Sequence, residues 1–314
     1  MKKLLLPLIL VNSINVLAQE QPSFLDTLIA DTNDHRKDIH NYIVTLSSDV
    51  DNFMSDDETM INRKDYAAAY GLIELSAFQN QHESVNFDQR VKIKLKLPKL
   101  KDKFRLVFES DDIDENKDYI ENKKSNKNDD FNLALSYQTM KKYAELKAKV
   151  GIKLRSKLDP FLKLSAKKTW EDINGIDFVI GQDIKQSVVK KLETTSYYEV
   201  AKKFNDYYSL HQYTEYYWQS NERSDSQILP SIHLKQKIDA KNHLTYSFSS
   251  NIDNIDTNLR LKRHSVQIKY RHLIKKWLYV DAIPENYYSY DNNFKPRYAM
   301  RFNLGIYFNK SSYK

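Results

Sequence analysis

The chain has 314 residues, 41% of them hydrophobic and 29% charged, with a net charge of +7 and a mean hydropathy of −0.68. It has no cysteine, which excludes disulfides, zinc–thiolate and iron–sulfur sites and a lipid-modified N-terminal cysteine, and suits an oxidising compartment. The lysines alternate with apolar residues instead of clustering, so the positive charge does not point to nucleic acid; past the first twenty residues no apolar run is long enough to cross a bilayer as a helix. Two classes remain: a soluble β-protein, or a membrane barrel, which hydropathy scans overlook because only alternate residues meet lipid.

The N-terminus reads as an export address. Met1-Lys2-Lys3 is a positive start, Leu4 to Val11 a short apolar core, and Val16-Leu17-Ala18 a small-residue cleavage motif. Residues 1–18 are therefore expected to be a signal peptide cut between Ala18 and Gln19. Loss of the two lysines Lys2 and Lys3 takes the formal charge from +7 to +5.

Residues 19–64 differ from the rest of the chain and are expected to be a periplasmic segment. Ile39, Tyr42, Ile43, Leu46, Val50 and Phe53 recur at steps of three and four, which predicts an amphipathic helix over 38–54. It would lie in the periplasm, against the barrel rim or inside the lumen; a partly ordered leader is the alternative. Residues 31–38 (DTNDHRKD) lack ligand spacing and read as a solvated linker.

From residue 65 the period changes to two. Val91, Ile93, Leu95 and Leu97 share one face of a strand, and Lys92, Lys94 and Lys96 share the other. Phe104 and Leu106 oppose Arg105 and Glu109. Ile152 and Leu154 oppose Glu145, Lys147, Lys149 and Lys153. The last such run holds Phe302, Leu304, Ile306 and Phe308. About fourteen segments of this kind follow one another, most about ten to fourteen residues long, and twelve or sixteen are the alternatives; a tilted strand needs about 9–11 residues to cross a bilayer. Loops on one side, 112–129 above all, are long, and turns on the other are short, as outer-membrane barrels require. The expected fold is thus all-β: a transmembrane antiparallel up-and-down barrel over 65–308, with a tail over 309–314.

The apolar face, represented by Val91, Ile93, Leu95, Leu97, Phe104, Leu106, Ile152, Leu154, Phe302, Leu304, Ile306 and Phe308, is expected to meet lipid. Lys92, Lys94, Lys96, Arg105, Glu109, Glu145, Lys147, Lys149, Lys153, Lys235, Lys237, Lys269, Arg271 and Arg301 are expected to line the lumen. A basic lumen, if open, favours anions. Tyr207, Tyr208, Tyr216, Tyr217, Trp218, Trp277, Tyr279, Tyr287, Tyr288, Tyr290, Tyr298, Tyr307 and Phe308 are placed for interfacial girdles, with some of the 22 tyrosines turned inward.

Two stretches carry a resemblance. Leu97-Pro98 with Phe104-Arg105-Leu106-Val107-Phe108-Glu109-Ser110 is one; Tyr270-Arg271-His272, Trp277-Leu278-Tyr279-Val280, Pro284-Glu285 and Phe294 with the final strand is the other. Together they resemble an uncharacterised family of Gram-negative outer-membrane β-barrel proteins. The resemblance implies the same strand order and no assigned activity. The chain departs from it in having only 5 glycines and in running six residues past Phe308, so recognition by the insertion machinery would use an internal signal.

No catalytic motif stands out. His264 and Ser265 are adjacent and so face opposite sides of a strand; His211, His233, His243 and His272 read as lumen polar groups. The acidic loop 111–130 lacks the glycine-punctuated pattern of a calcium site. No catalytic residue, metal or cofactor is assigned. The expected function is a porin-like channel for small polar or anionic solutes; the alternatives are a structural or partner-docking barrel and an outer-membrane hydrolase. Expected partners are outer-membrane lipid, lipopolysaccharide and the barrel-insertion machinery, with the oligomeric state open.

Overall fold

Strands that are apolar at every second position need one apolar surround and a partner for every backbone N–H and C=O. A sheet closed on itself meets both demands. In the computed structural model of the protein the strands close in this way. The structure describes residues 22–54, 70–81, 83–100, 103–110, 131–140, 144–154, 158–173, 175–220, 226–255 and 258–308. The signal peptide with its Ala18–Gln19 junction, the acidic loop 111–130 and the tail 309–314 lie outside the described residues.

The strands are β1 (Tyr70–Asn80), β2 (Asn86–Leu97), β3 (Phe104–Ser110), β4 (Phe131–Met140), β5 (Glu145–Leu154), β6 (Leu158–Ile173) and β7 (Ile176–Ser187). They continue with β8 (Lys191–Lys203), β9 (Tyr208–Gln219), β10 (Ser226–Lys237), β11 (Asn242–Ile255), β12 (Asn258–Lys275), β13 (Leu278–Ser289) and β14 (Pro296–Tyr307). Each pairs antiparallel with its sequence neighbour, and β1 pairs with β14, from Leu72↔Tyr307 to Asn80↔Ala299, to close a barrel of fourteen strands. The fold class is the expected one. Pairing runs beyond the apolar alternation at several hairpins: β6 reaches Ile173, β11 reaches Ile255 and β12 reaches Lys275. Ladder bonds need no apolar face, so strands continue beyond the apolar band.

Four of the five glycines make room. A Cβ on Gly305 would lie 2.0 Å from Cζ of Tyr279, and one on Gly181 would lie 2.2 Å from Cζ of Tyr197. Each tyrosine ring therefore lies flat over a neighbouring strand where no side chain stands.

Among the described residues one α-helix, α1 (Pro22–Met54), precedes the barrel. It is longer than the expected 38–54 and runs through 31–38, the expected linker. Pro22 fits the first helical position, and no Gly or Pro interrupts the chain after it. Residues 31–38 are polar on all sides, so they carry no apolar period, but Lys37 and Asp34 pair at 2.7 Å one turn apart.

Residues 22–42 form one compact unit; 43–54 belong to the unit that holds the barrel. There Ile43, Ser47 and Asp51 are buried at four-residue steps. Ile43 packs with Leu95 and Phe308, flanked by Leu46, Val50, Ile73, Ile93, Leu106 and Ile306. These barrel residues stand on the exterior face, at the end of the barrel that carries the short turns. Full burial of such side chains is worth about 1.5–3 kcal/mol each. Among the described residues the β1–β2 ladder ends with Tyr70 opposite Lys94. Beyond that pair the helix serves the edge: the Ser47 hydroxyl donates to the Lys96 carbonyl, and the Asp51 carboxylate accepts from the Lys99 N–H at 2.9 Å. Of the positions open in the sequence, residues 43–54 take neither the lumen nor free periplasm but the outer wall beside the rim. The expectation that Leu95, Leu97 and Phe308 meet lipid is corrected. Leu95 and Phe308 are covered by the helix, and Leu97 beside them is fully buried.

Candidate functional site

Strand register assigns every side chain to one of two faces. One face carries exposed aliphatics and aromatics around the barrel, among them Val150 at 60% exposure, Leu164 at 49% and Phe302 at 54%. Val91, Ile93, Phe104, Leu106, Ile152, Leu154, Leu304 and Ile306 stand on it too. A soluble protein rarely exposes an apolar patch beyond about 600 Å². Here the apolar face runs round the wall.

The opposite face points inward. Lys92, Lys94, Lys96, Arg105, Glu109, Glu145, Lys147, Lys149 and Lys153 stand on it along β2, β3 and β5. Lys235 and Lys237 stand on it on β10, Lys269 and Arg271 on β12, and Arg301 on β14. The structure joins many of them to carboxylates. Glu109 lies between Lys149, at 3.0 Å, and Lys92, at 3.8 Å. The Lys149 arm reaches over β4, whose inward residues Asn132, Ala134 and Ser136 are small and buried. Glu145 pairs with Lys167 at 3.4 Å, and Lys163 with Asp183 at 3.0 Å. Counting the inward positions of β2 to β5, eight cations (Arg90, Lys92, Lys94, Lys96, Arg105, Lys147, Lys149, Lys153) face three carboxylates (Asp88, Glu109, Glu145).

The inner wall is built differently where the barrel closes. Arg271 grips Asp281 with two bonds of 2.6 and 2.7 Å and lies 3.9 Å from the centre of the Tyr279 ring. That ring crosses Gly305 of β14, and its hydroxyl donates to Glu74 of β1. Tyr287 likewise reaches across to Asn80 at 2.7 Å. Tyr217, Tyr279, Tyr287 and Tyr307, placed by sequence among the girdle residues, therefore face inward, because each shares the register of an inward polar residue. Tyr216, Trp218, Tyr288 and Tyr298 face outward near the loop end, and Tyr208 near the turn end. Glu74, Tyr279 and Asp281 were missed as inner-wall residues. Their period-two placement (Tyr279, Asp281, Ile283, Glu285) carried the signal.

The histidines divide as adjacency demands. His264 faces outward, stacked on Tyr288 at 4.8 Å and Phe294 at 5.9 Å, while Ser265 faces inward and is buried. His233 bridges the Ser231 and Ser247 hydroxyls at 2.9 and 2.8 Å. His211 lies 3.1 Å from Glu199 and 3.2 Å from Ser209. Among the described residues no three His, Asp or Glu side chains converge on a metal-sized site.

A closed antiparallel barrel with an apolar exterior and charged interior is the arrangement of transmembrane β-barrels. No protein-family description matches it, and no curated protein does. Solved structures resemble it in fold. The outer membrane channel DcaP of Acinetobacter baumannii is 8% identical with a TM-score of 0.43, over 76% of this chain and 96% of that one. OmpT, an outer membrane protein of Vibrio cholerae in trimer form, is 11% identical at 0.44, over 76% and 98%. A bacterial polysaccharide outer membrane secretin is 9% identical at 0.46, over 79% and 99%. Likeness at these levels transfers no substrate, activity or partner.

Proposed function

We propose that the protein, once exported, forms a channel in the outer membrane of a Gram-negative bacterium and passes small polar solutes with a preference for anions. The observation that carries this reading is the inner wall of β2 to β5, with its excess of five positive charges. Like charges on a low-dielectric wall focus their field into the lumen and raise the local concentration of counter-ions. The test is reversal potential across a planar bilayer under a KCl gradient. The expected value lies on the chloride side of zero, and Lys94→Glu with Lys147→Glu moves it toward potassium. Silence at every voltage overturns the channel reading.

One feature favours a closed scaffold instead. Lys149, Lys163, Glu109 and Asp183 are each less than a tenth exposed, so part of the charge is neutralised against the wall. A silent bilayer promotes this second reading. Among the described residues the hydrolase alternative has one address, the series Glu199–His211–Ser209, in which acid, imidazole and hydroxyl follow in the order that nucleophilic catalysis uses. Lys203 and Lys235 flank Ser209 on the neighbouring strands. A fluorophosphonate probe is expected to leave Ser209 unmodified; labelling that is lost in His211→Ala and Glu199→Gln would make this an enzyme.

A further inference from the structure

The exterior wall is not uniform. On β4 and β5 and on β13, β14 and β1 the middle of the outward face is aliphatic or aromatic throughout. On β7 to β9 it is not. Gln182 stands outward between Ile180 and Ile184, Ser196 stands outward opposite it on β8, and Gln212 and Thr214 stand outward in the middle of β9. Ser196 donates to the Gln182 carbonyl oxygen at 2.5 Å. The Gln212 amide donates to the Thr214 hydroxyl at 2.8 Å and to Tyr198 at 3.4 Å. The Gln212 side-chain oxygen accepts no hydrogen bond among the described residues.

We infer that this patch is the contact surface for a second copy of the same chain within the membrane. The inference rests on reading the apolar exterior as lipid-facing. Acyl chains offer no hydrogen bonds, so amides and hydroxyls at mid-height are penalised unless another protein supplies partners there. The patch is uncharged, so it needs no counter-charge. Every group in it is both a donor and an acceptor, which makes it complementary to itself. Ser, Thr and Gln are the side chains that bond across protein contacts in membranes.

The absence of native cysteine makes the test clean. Ser196→Cys places a single thiol on the patch, and Val150→Cys places one on the bare wall of β5. In native membrane vesicles a short bis-maleimide is expected to give several-fold more crosslinked product from Ser196→Cys, and mass spectrometry is expected to find only this chain in it. Adding Gln182→Leu, Gln212→Leu and Thr214→Val suits the wall to lipid, and should lower the yield to that of Val150→Cys. Equal yields from the two single-cysteine proteins, an adduct containing a different protein, or a yield unmoved by the leucine and valine changes would each overturn the inference. Carbonate extraction separates the two levels of failure. A carbonate-resistant barrel that does not crosslink defeats only the self-association; a barrel released without detergent defeats the lipid-facing reading and this inference together.

Discussion

Two stretches of the inner wall, the lysine-rich side of β2 to β5 and the closure side of β12 to β1, are both charged but are built from different parts. On the closure side the contacts are short, planar and rigid. Arg271 holds Asp281 through a two-point fork, an aromatic ring lies over a glycine, and a phenol spans from β13 to β1. On the lysine side the contacts are single ammonium groups on long stems, at 3.0 to 3.8 Å around Glu109. A guanidinium fork fixes geometry, whereas a lysine supplies a movable point charge. The closure side therefore holds the first and last strands together, and the lysine side carries the excess of positive charge. Strength and charge are separated in space.

Gly305→Ala is the hardest blow to this division. The new methyl would sit 2.0 Å from the Tyr279 ring, on a side chain 2% exposed that has little room to move. A loss of about 3 kcal/mol or more is expected, read as a lower urea midpoint for unfolding from vesicles. A midpoint unchanged within error would show that the ring is not a fixed tie. Next comes a pair of changes on the lysine side. Glu109→Gln keeps an acceptor for Lys92 and Lys149 but removes the charge they share, and is expected to cost about 1–3 kcal/mol. Lys94→Gln in the same wall is expected to cost less than about 1 kcal/mol, since Lys94 is only half-buried, while still moving the reversal potential. If Lys94→Gln destabilised as much as Glu109→Gln, the lysine side would be a structural wall and the separation of roles would fail.

How much of this was legible in the sequence follows from what a period can encode. The face of Lys92 or Ile152 is fixed by parity alone, so strand order and both faces could be read directly. Parity cannot tell an outward residue that meets lipid from one beneath a helix, which is why Leu95 and Phe308 were misassigned. That information sat in a different segment, in the spacing of Ile43, Ser47 and Asp51, and two of those three are polar. Parity likewise ranks Tyr279 below its own aromatic character: a tyrosine near a strand end looks like a girdle residue until Gly305 is found beside it on β14. The helix start was hidden for a related reason. Residues 31–38 turn no apolar side to anything, so the periodic signal began only at Ile39.

The smallest effect is expected far from both walls, in the turn between β10 and β11. Asp239 accepts from the backbone N–H groups of Lys241, at 2.7 Å, and Asn242, at 2.8 Å, and from the Asn242 side-chain amide at 2.7 Å. Those donors, the Asn242 side chain first, hold its carboxyl below the ordinary 3.8. A depressed folded-state value stabilises the ionised turn above the unfolded value, and that contribution disappears as pH falls through the folded one. Amide exchange at Asn242, normalised to the intrinsic rate, is therefore expected to accelerate only below about pH 4. Asp239→Asn should remove the pH dependence, because the amide oxygen accepts bonds but does not titrate. Exchange at Gly305 and Asp281 should stay flat over the same range, since the turn contributes to neither wall. A parallel rise there would mean that the closure side depends on the hairpin, and that its rigidity is not local to the contacts of Tyr279 and Arg271.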